Sequence, residues 1–339
     1  MLKDFFTAER TLLAVMSYNR GKYLQNCMQS IERHMPGFEA VIFDDHSTDA
    51  ETVKALRDLS SRHKIVDCKA GSAGDRGGLH ANMNRALELA IHDDYRFVLF
   101  LQDDMQFVRD IDDDLIDNVN AIFGADEKLA QVNVMFFKGY WPKAVMQSRI
   151  GIQREVGYYY HIPSAGWNCG IADSGITSLE RICEKGFRYQ DSEASSIVTA
   201  QSLDLHRADC RDPIMMFTPW PGTTSRSYSE KISLKRIARE MLVKMQEYGA
   251  STDCHPFLPM SAESIARLKQ RPIEEYPIAE RYLSVEQDLL QPWWYSACNN
   301  ISDFKSVRSL LAMEWFTKGP ANYRANVRRQ QESDAEHQR

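Results

Sequence analysis

The sequence predicts an α/β fold, a mostly parallel sheet flanked by helices, followed by a mainly helical C-terminal extension. Three observations carry that expectation. Short unbroken apolar runs alternate with stretches of helical apolar spacing through the first third of the chain. The connections are short, as in parallel strands joined by right-handed helical crossovers. Two of the apolar runs end in paired aspartates, 40–43 directly and 97–101 after Gln102. In open α/β sheets ligands bind at that carboxyl edge, so the acids stand where chemistry is expected.

The elements follow in order. Residues 11–16 (TLLAVM) read as a buried strand, broken by Ser17, Tyr18, Asn19, Arg20 and Gly21. In 23–33 the positions Tyr23, Leu24, Cys27, Met28 and Ile31 recur at helical spacing, and Pro36-Gly37 stops the run. Residues 40–43 form a second strand ending in Asp44-Asp45, and Thr48 or Asp49 is suited to cap a helix over 50–61. A third strand at 64–68, a loop at 71–78 and a helix at 79–91 lead to the fourth strand, 97–101, and to Gln102-Asp103-Asp104. The acidic run 110–114 opens a helix over 115–123, where negative charge complements the helix dipole. Residues 131–137 read as a strand, 174–185 as a helix ended by Gly186, 194–203 as a helix and 215–219 as a strand. Beyond lie a polar loop at 221–229, an amphipathic helix at 231–248, a helix at 304–316 and a polar, disordered tail at 328–339. Length favours a core domain over 1–229 and a helical extension over 230–339.

A hydrophobic fraction of 43% and a charged fraction of 26% are ordinary for a globular chain. The net charge of −6 argues against a bulk electrostatic grip on nucleic acid, so no nucleic-acid partner is expected. Seven cysteines lie scattered without paired spacing, the pattern of reduced thiols in a cytoplasmic protein. No apolar run approaches the roughly 18 residues of a membrane span. Taken alone, Gln102-Asp103-Asp104 has two readings. Carboxylates suit a hard divalent cation that also meets phosphates, and Asp equally favours turns.

Three separated stretches resemble the family 2 glycosyltransferases, which have the GT-A fold. Ser17-Tyr18-Asn19-Arg20 is similar to that family's "TYNR" opening, and 43–49 (FDDHSTD) to "VDDGSTD", with His46 in the Gly place. GGLHANMNRAL at 77–87 resembles "GGVSAARNRGL", with His80, Met83 and Ala86 where Ser, Arg and Gly are common. Gln102-Asp103-Asp104 then occupies the place of the DXD element, its first acid replaced by Gln. Order and spacing agree over the first third of the chain, and the resemblance is weak beyond Phe137.

The resemblance implies transfer of a sugar from a nucleotide-diphosphate donor to a glycan or lipid-linked acceptor, with inversion, in cell-surface polysaccharide synthesis. Ser17, Tyr18, Asn19 and Asp45 would line the nucleotide pocket, with Asn84, Arg85 and Asp103 also on the donor; Arg85 would pair with the diphosphate or with Asp103. Asp104 would hold Mn²⁺ or Mg²⁺. In the family the catalytic base opens a helix well after the DXD element, and Glu193, then Asp191, are the nearest matches. These two acids equally fit as caps of the following helix.

His161, His206 and His255 are further candidate ligands. The aromatics Tyr140, Trp141, Tyr158, Tyr159, Tyr160 and Trp167 fit either a sugar-site floor or ordinary core. Two rivals stand beside the transferase reading: a non-catalytic nucleotide-sugar binding module and, ranked well below, a sugar-phosphate nucleotidylyltransferase, a class that opens with a Gly-rich phosphate loop containing Arg and Lys, whereas this chain opens with MSYNRGK. Basic and apolar residues mixed over 305–329 suit peripheral contact with an anionic membrane or, as the preferred reading, a solvated helical lid. Homo-oligomerisation is left open.

Overall fold

The computed structural model describes residues 5–68, 78–137, 149–162, 170–217 and 259–278. All of them belong to one compact unit. The chain alternates β1 (Thr11–Ser17), α1 (Gly21–His34), β2 (Glu39–Asp44), α2 (Ala50–Leu59), β3 (Lys64–Asp67), α3 (Leu79–His92) and β4 (Phe97–Gln102). It continues through β5 (Met105–Phe107), α4 (Asp113–Ala125), β6 (Leu129–Asn133), β7 (Ile150–Gln153), β8 (Tyr158–His161), β9 (Gly175–Ser178) and α5 (Leu179–Glu184). Last come α6 (Glu193–Ser202), β10 (His206–Cys210), β11 (Met215–Phe217) and α7 (Ala262–Gln270).

Nine strands form one sheet in the order β3-β2-β1-β4-β9-β6-β10-β8-β7. The first four are mutually parallel, β9 opposes both β4 and β6, β10 follows β6, and β8 opposes both β10 and β7. Seven of the nine therefore point the same way, with β8 and β9 reversed. Successive side chains of a strand point to opposite faces. Leu13 and Val15 of β1 accordingly join Leu24, Met28, Ile42, Leu99 and Leu101 in one core layer, and Leu12 and Ala14 join Val41, Phe43, Met83, Leu87, Val98 and Phe100 in the other. Both faces of β1 and β4 are covered, which is why their runs read as unbroken apolar segments.

The helix ends follow local chemistry. Asp49, one of the two expected caps, accepts from Thr52 N at 2.9 Å, and Asp112 accepts from Leu115 N at 3.0 Å. Gly21 lets the start of α1 sit on the first turn of α2: a Cβ there would lie 2.7 Å from Glu51 C and Thr52 N.

Residues 174–185 do not make one helix. They divide into β9 and α5, because Ile176 and Thr177 are wedged between β4 and β6 and Gly175, at φ 113°, approaches the Val132 carbonyl. Ser178 then caps α5 through Arg181 N. The strand expected over 131–137 ends at Asn133, whose side chain accepts from Met135 N. β7, β8 and β10 had no expected counterpart. Tyr158 and Tyr159 are buried, and Tyr159 packs on Phe137 and Tyr276 with ring centroids 5.4 Å apart in each pair; these two aromatics are core.

The segment 259–278 is part of this unit. Arg271 bonds Asp212 Oδ1 at 2.7 Å, Lys269 Nζ reaches Asp114 at 2.6 Å, and Phe137 N donates to the Pro277 carbonyl. The expected loop at 221–229, the helices at 231–248 and 304–316, the tail, the basic segment 305–329, His255, Tyr140, Trp141 and Trp167 lie outside the described residues.

Candidate active site

The sheet register brings the acid-bearing strand ends to one edge. Ser17 pairs with Asp44 and Met16 with Gln102, so β2, β1 and β4 finish side by side. Backbone bonds continue beyond the strands, from Asp45 N to the Ser17 carbonyl at 2.9 Å and from Asp103 N to the Met16 carbonyl at 3.0 Å. The loops are then laced together. Tyr18 N donates to Asp103 Oδ2 at 3.2 Å, Asn19 N to Ser47 Oγ at 2.9 Å, and Asn19 Oδ1 accepts from Thr48 N and Asp49 N. Asn19 and His46 take φ of 49° and 59°, the left-handed region that Asn tolerates and Gly favours. That explains why the related motif carries Gly where His46 stands.

Asp45 is buried, and its Oδ1 accepts from Gly78 N and Asn82 Nδ2, both at 2.9 Å. It thereby fastens the start of α3 to the end of β2. Asn82 was not singled out in the sequence.

Arg20 is the principal addition to the expected site. Its Nη1 lies 3.1 Å from Asp103 Oδ1 and 3.0 Å from Asp104 Oδ2, binding both carboxylates. Burial disfavours the guanidinium charge, but Asp103 and Asp104 outweigh it and raise the Arg20 pKa. Burial pushes the Asp103 carboxyl up to about 7, against the pull of Arg20. Arg85, expected as a partner of Asp103, stands on α3 beside the Cys68 thiol; the cation on Asp103 is Arg20. The signal for Arg20 was present in the Ser17-Tyr18-Asn19-Arg20 motif, where it received no role.

Two buried polar atoms at this edge, Asp104 Oδ1 and Ser17 Oγ, have no hydrogen-bond partner among the described residues. Buried polar atoms are seldom left so. An unoccupied carboxylate oxygen fits a hard divalent cation that completes its shell with phosphate and water oxygens. Among the described residues no group of three or more His, Cys, Asp or Glu is arranged to hold an ion by itself.

Toward β9 the site changes character. Gln102 Nε2 donates to Asp173 Oδ2 at 2.8 Å, so the position that lacks an acid is bonded to one from the loop that leads into β9. Asn84 was expected at the nucleotide. Its carboxamide is instead engaged with the backbone of Tyr189, donating to the carbonyl at 2.8 Å and accepting from the N–H at 2.9 Å. This clasp ties α3 to the loop that carries Asp191. Asp191 and Glu193 are both exposed. Asp191 acts electrostatically on His80, whereas Glu193 opens α6 behind the Ser192 cap.

His161 and His206 have partners elsewhere. His161 Nε2 lies 3.1 Å from Asp209 Oδ2 and 2.9 Å from Arg207 Nη2, and His206 pairs with Asp204 at 3.1 Å.

The model of glycosyl transferase family 2 matches residues 13–181, from β1 into α5 and across every strand end just described. The chain belongs to this family. Its large, mostly parallel sheet flanked by helices is the fold class that the sequence predicts. The match stops before Asp191 and Glu193.

Solved structures with a similar fold include TarS of S. aureus, 14% identical with a TM-score of 0.39, over 72% of this chain and 40% of that one. A mannosyltransferase, PcManGT from Pyrobaculum calidifontis in complex with GDP-Man and Mn²⁺, is 17% identical with a TM-score of 0.44, over 93% and 82%. Glucosyl-3-phosphoglycerate synthase from Mycobacterium tuberculosis is 14% identical with a TM-score of 0.40, over 72% and 85%. This chain thus spans less than half the length of TarS. No curated protein matches the sequence at a significant level. No helix among the described residues is long and apolar enough to cross a membrane.

Proposed function

We propose that this glycosyltransferase moves a sugar from a nucleoside-diphosphate donor to the hydroxyl of a glycan or lipid-linked acceptor, with inversion and with a divalent cation, Mn²⁺ or Mg²⁺, held by Asp104. The observation that carries the reading is the unpartnered buried Oδ1 of Asp104, on the sheet edge it shares with Ser17 and Asp45. Ser17, Tyr18, Asn19 and Asp45 bind the nucleoside. Tyr18, a residue about a third exposed, supports this with a ring suited to stacking on a base. Asp45, an acceptor through its carboxylate, takes hydroxyl or base N–H donors. Arg20 holds Asp103 and Asp104 in place, and Arg85 supplies positive charge to the donor's phosphates.

When bound, the cation supplies Lewis-acid stabilisation of the negative charge on the departing diphosphate. The chain's own groups do the rest. A carboxylate takes the acceptor hydroxyl's proton as its oxygen attacks the anomeric carbon from the side opposite the diphosphate; the bond to the diphosphate oxygen breaks and that oxygen keeps the electron pair. Asp191 is the base we favour, because it adjoins the cluster at the end of β4 through His80, and Glu193 is next. The reduced thiols of Cys68, Cys183 and Cys210 support a cytoplasmic setting. A domain division at 229/230, with 259–278 returning to the core unit, and peripheral membrane contact through 305–329 belong to the same proposal.

The test is Asp104→Ala. Donor turnover with Mn²⁺ falls by about a thousandfold, the size of a lost transition-state charge contact, while the unfolding midpoint stays near that of the wild type. Full turnover by the variant in the presence of a chelator would refute the proposal. Wild-type protein that binds a nucleotide sugar and never turns it over would instead favour a binding module.

A further inference from the structure

The sheet order β2-β1-β4-β9 places the ends of three parallel strands beside the start of the antiparallel β9. On the function proposed above, the nucleoside meets β2 and β1 and the diphosphate meets the end of β4. A donor laid along this edge then carries its sugar toward β9. Three side chains await it there: Gln102 at the end of β4, Asp173 two residues before β9, and His80 in the first turn of α3.

Gln102 and Asp173 are bonded to each other at 2.8 Å. His80 Nε2 is buried without a hydrogen-bond partner among the described residues. Its ring stands 6.2 Å from that of Tyr189, centroid to centroid. Tyr189 is itself fixed, its hydroxyl bonded to the Ala172 carbonyl at 3.2 Å and its backbone clasped by Asn84. Asp173 and Asp191 both act electrostatically on His80, but burial outweighs them and holds the imidazole below its usual pKa, uncharged at neutral pH. Arg20 is engaged by Asp103 and Asp104, and Arg85, five residues along α3 from His80, stands beside the Cys68 thiol. The cluster therefore offers an amide, a neutral ring nitrogen and two carboxylates. These groups satisfy hydroxyls and repel another carboxylate. In the motif this stretch resembles, Ser is common where His80 stands, so the arrangement is this chain's own.

We propose that His80 is a specificity residue for the donor sugar: its Nε2, with the Gln102–Asp173 pair, hydrogen-bonds hydroxyls of an uncharged hexosyl group, and the cluster rejects a uronosyl group. This rests on the nucleotide-sugar reading of the edge, and the experiment separates the two. The full chain with Mn²⁺ is first titrated with UDP, GDP, dTDP and CDP to find the nucleotide it binds. Hexosyl and uronosyl donors of that nucleotide, glucose against glucuronate and mannose against mannuronate, are then compared.

The better hexosyl donor binds about tenfold or more tightly than its uronosyl counterpart. His80→Ala weakens the hexosyl donor about fivefold, the worth of one hydrogen bond, and leaves affinity for the nucleoside diphosphate unchanged. His80→Gln, which keeps a polar group at that place, recovers most of the loss. Equal binding of the uronosyl donor, or an equal loss of diphosphate and sugar-diphosphate affinity in His80→Ala, overturns the inference and leaves the proposed function standing. Absence of binding by all four nucleotides overturns both.

Discussion

Asn84→Ala distinguishes a tether from a nucleotide ligand. The wild-type carboxamide makes two bonds, both to the backbone of Tyr189 and both under 3 Å. Each contributes about 1 kcal/mol net, so the variant loses about 2 kcal/mol. For a unit of this size that lowers the melting temperature by about 4–8 °C, and the fold persists. It persists because the Tyr189 ring keeps its own anchors, edge-on contacts with Phe100 and Phe187 at 5.4 and 5.2 Å and the hydroxyl bond to Ala172.

What loosens in Asn84→Ala is the backbone leading to Asp191. A displacement of about 1 Å in a reacting group costs about a hundredfold in rate. Turnover at saturating donor and acceptor should therefore fall by roughly that factor, while nucleoside-diphosphate affinity, read from calorimetric titration below the variant's melting range, changes by less than about twofold. Asn84→Asp keeps an acceptor for Tyr189 N–H and loses the donor to its carbonyl, so it should fall between. A tenfold loss of nucleotide affinity with unchanged turnover would show that Asn84 holds the donor directly, and the tether argument would fail.

Two further outcomes follow from the fold. Gly21→Ala places a methyl 2.7 Å from backbone atoms of Glu51 and Thr52, which cannot swing aside; it should cost about 2–3 kcal/mol in denaturant unfolding despite alanine's better helix propensity, and an unchanged midpoint would contradict the packing. Asp209 is fully buried, yet Arg207, His161 and Asn133 overcome the burial penalty and hold its carboxyl below the ordinary range. A carboxyl depressed in the folded state contributes its full stability above its unfolded pKa of about 3.9 and loses it as pH falls through the folded value. Wild-type stability should hence fall more steeply with acid below about pH 4 than that of Asp209→Asn; parallel slopes would mean that the network does not favour the ionised form.

The strands β1, β2 and β4 were legible because each is a contiguous apolar run, and being covered on both faces leaves no alternation to obscure it. β9 was not. Ile176, Leu179 and Ile182 stand three apart, a spacing that serves a helix face, and only the slot between β4 and β6 makes a strand of the first part. The same distinction runs through the site. Asp45 and Asp104 declare themselves as acids at the ends of strands, a local pattern. Arg20, Asn82 and Asp173 act through partners at Asp103, Asp45 and Gln102, each far away along the chain. Asn84 shows the converse: its place in a recognisable motif suggested the ligand, and its amide geometry assigns it to the backbone of Tyr189.

The balance of charge at the end of β4 bears on how a donor is accommodated. Arg20 is a single positive group shared between the carboxylates of Asp103 and Asp104, at 3.1 and 3.0 Å. A nucleoside diphosphate brings further negative charge to the same edge. At an effective dielectric near 20, two like charges about 4 Å apart repel by about 4 kcal/mol, so each phosphate oxygen seated beside an uncompensated carboxylate works against binding. Arg20 cannot turn to the phosphates without abandoning Asp103, whose burial makes an unpaired charge costly. A divalent cation held by Asp104, as proposed above, would resolve the conflict while Arg20 stays where it is. The two groups would then have separate duties, the arginine holding the acids in position and the cation supplying the positive charge that the donor's phosphates meet. On this reasoning an Arg20→Met chain is impaired mainly in the ordering of Asp103 and Asp104, and added Mn²⁺ compensates for only part of that loss.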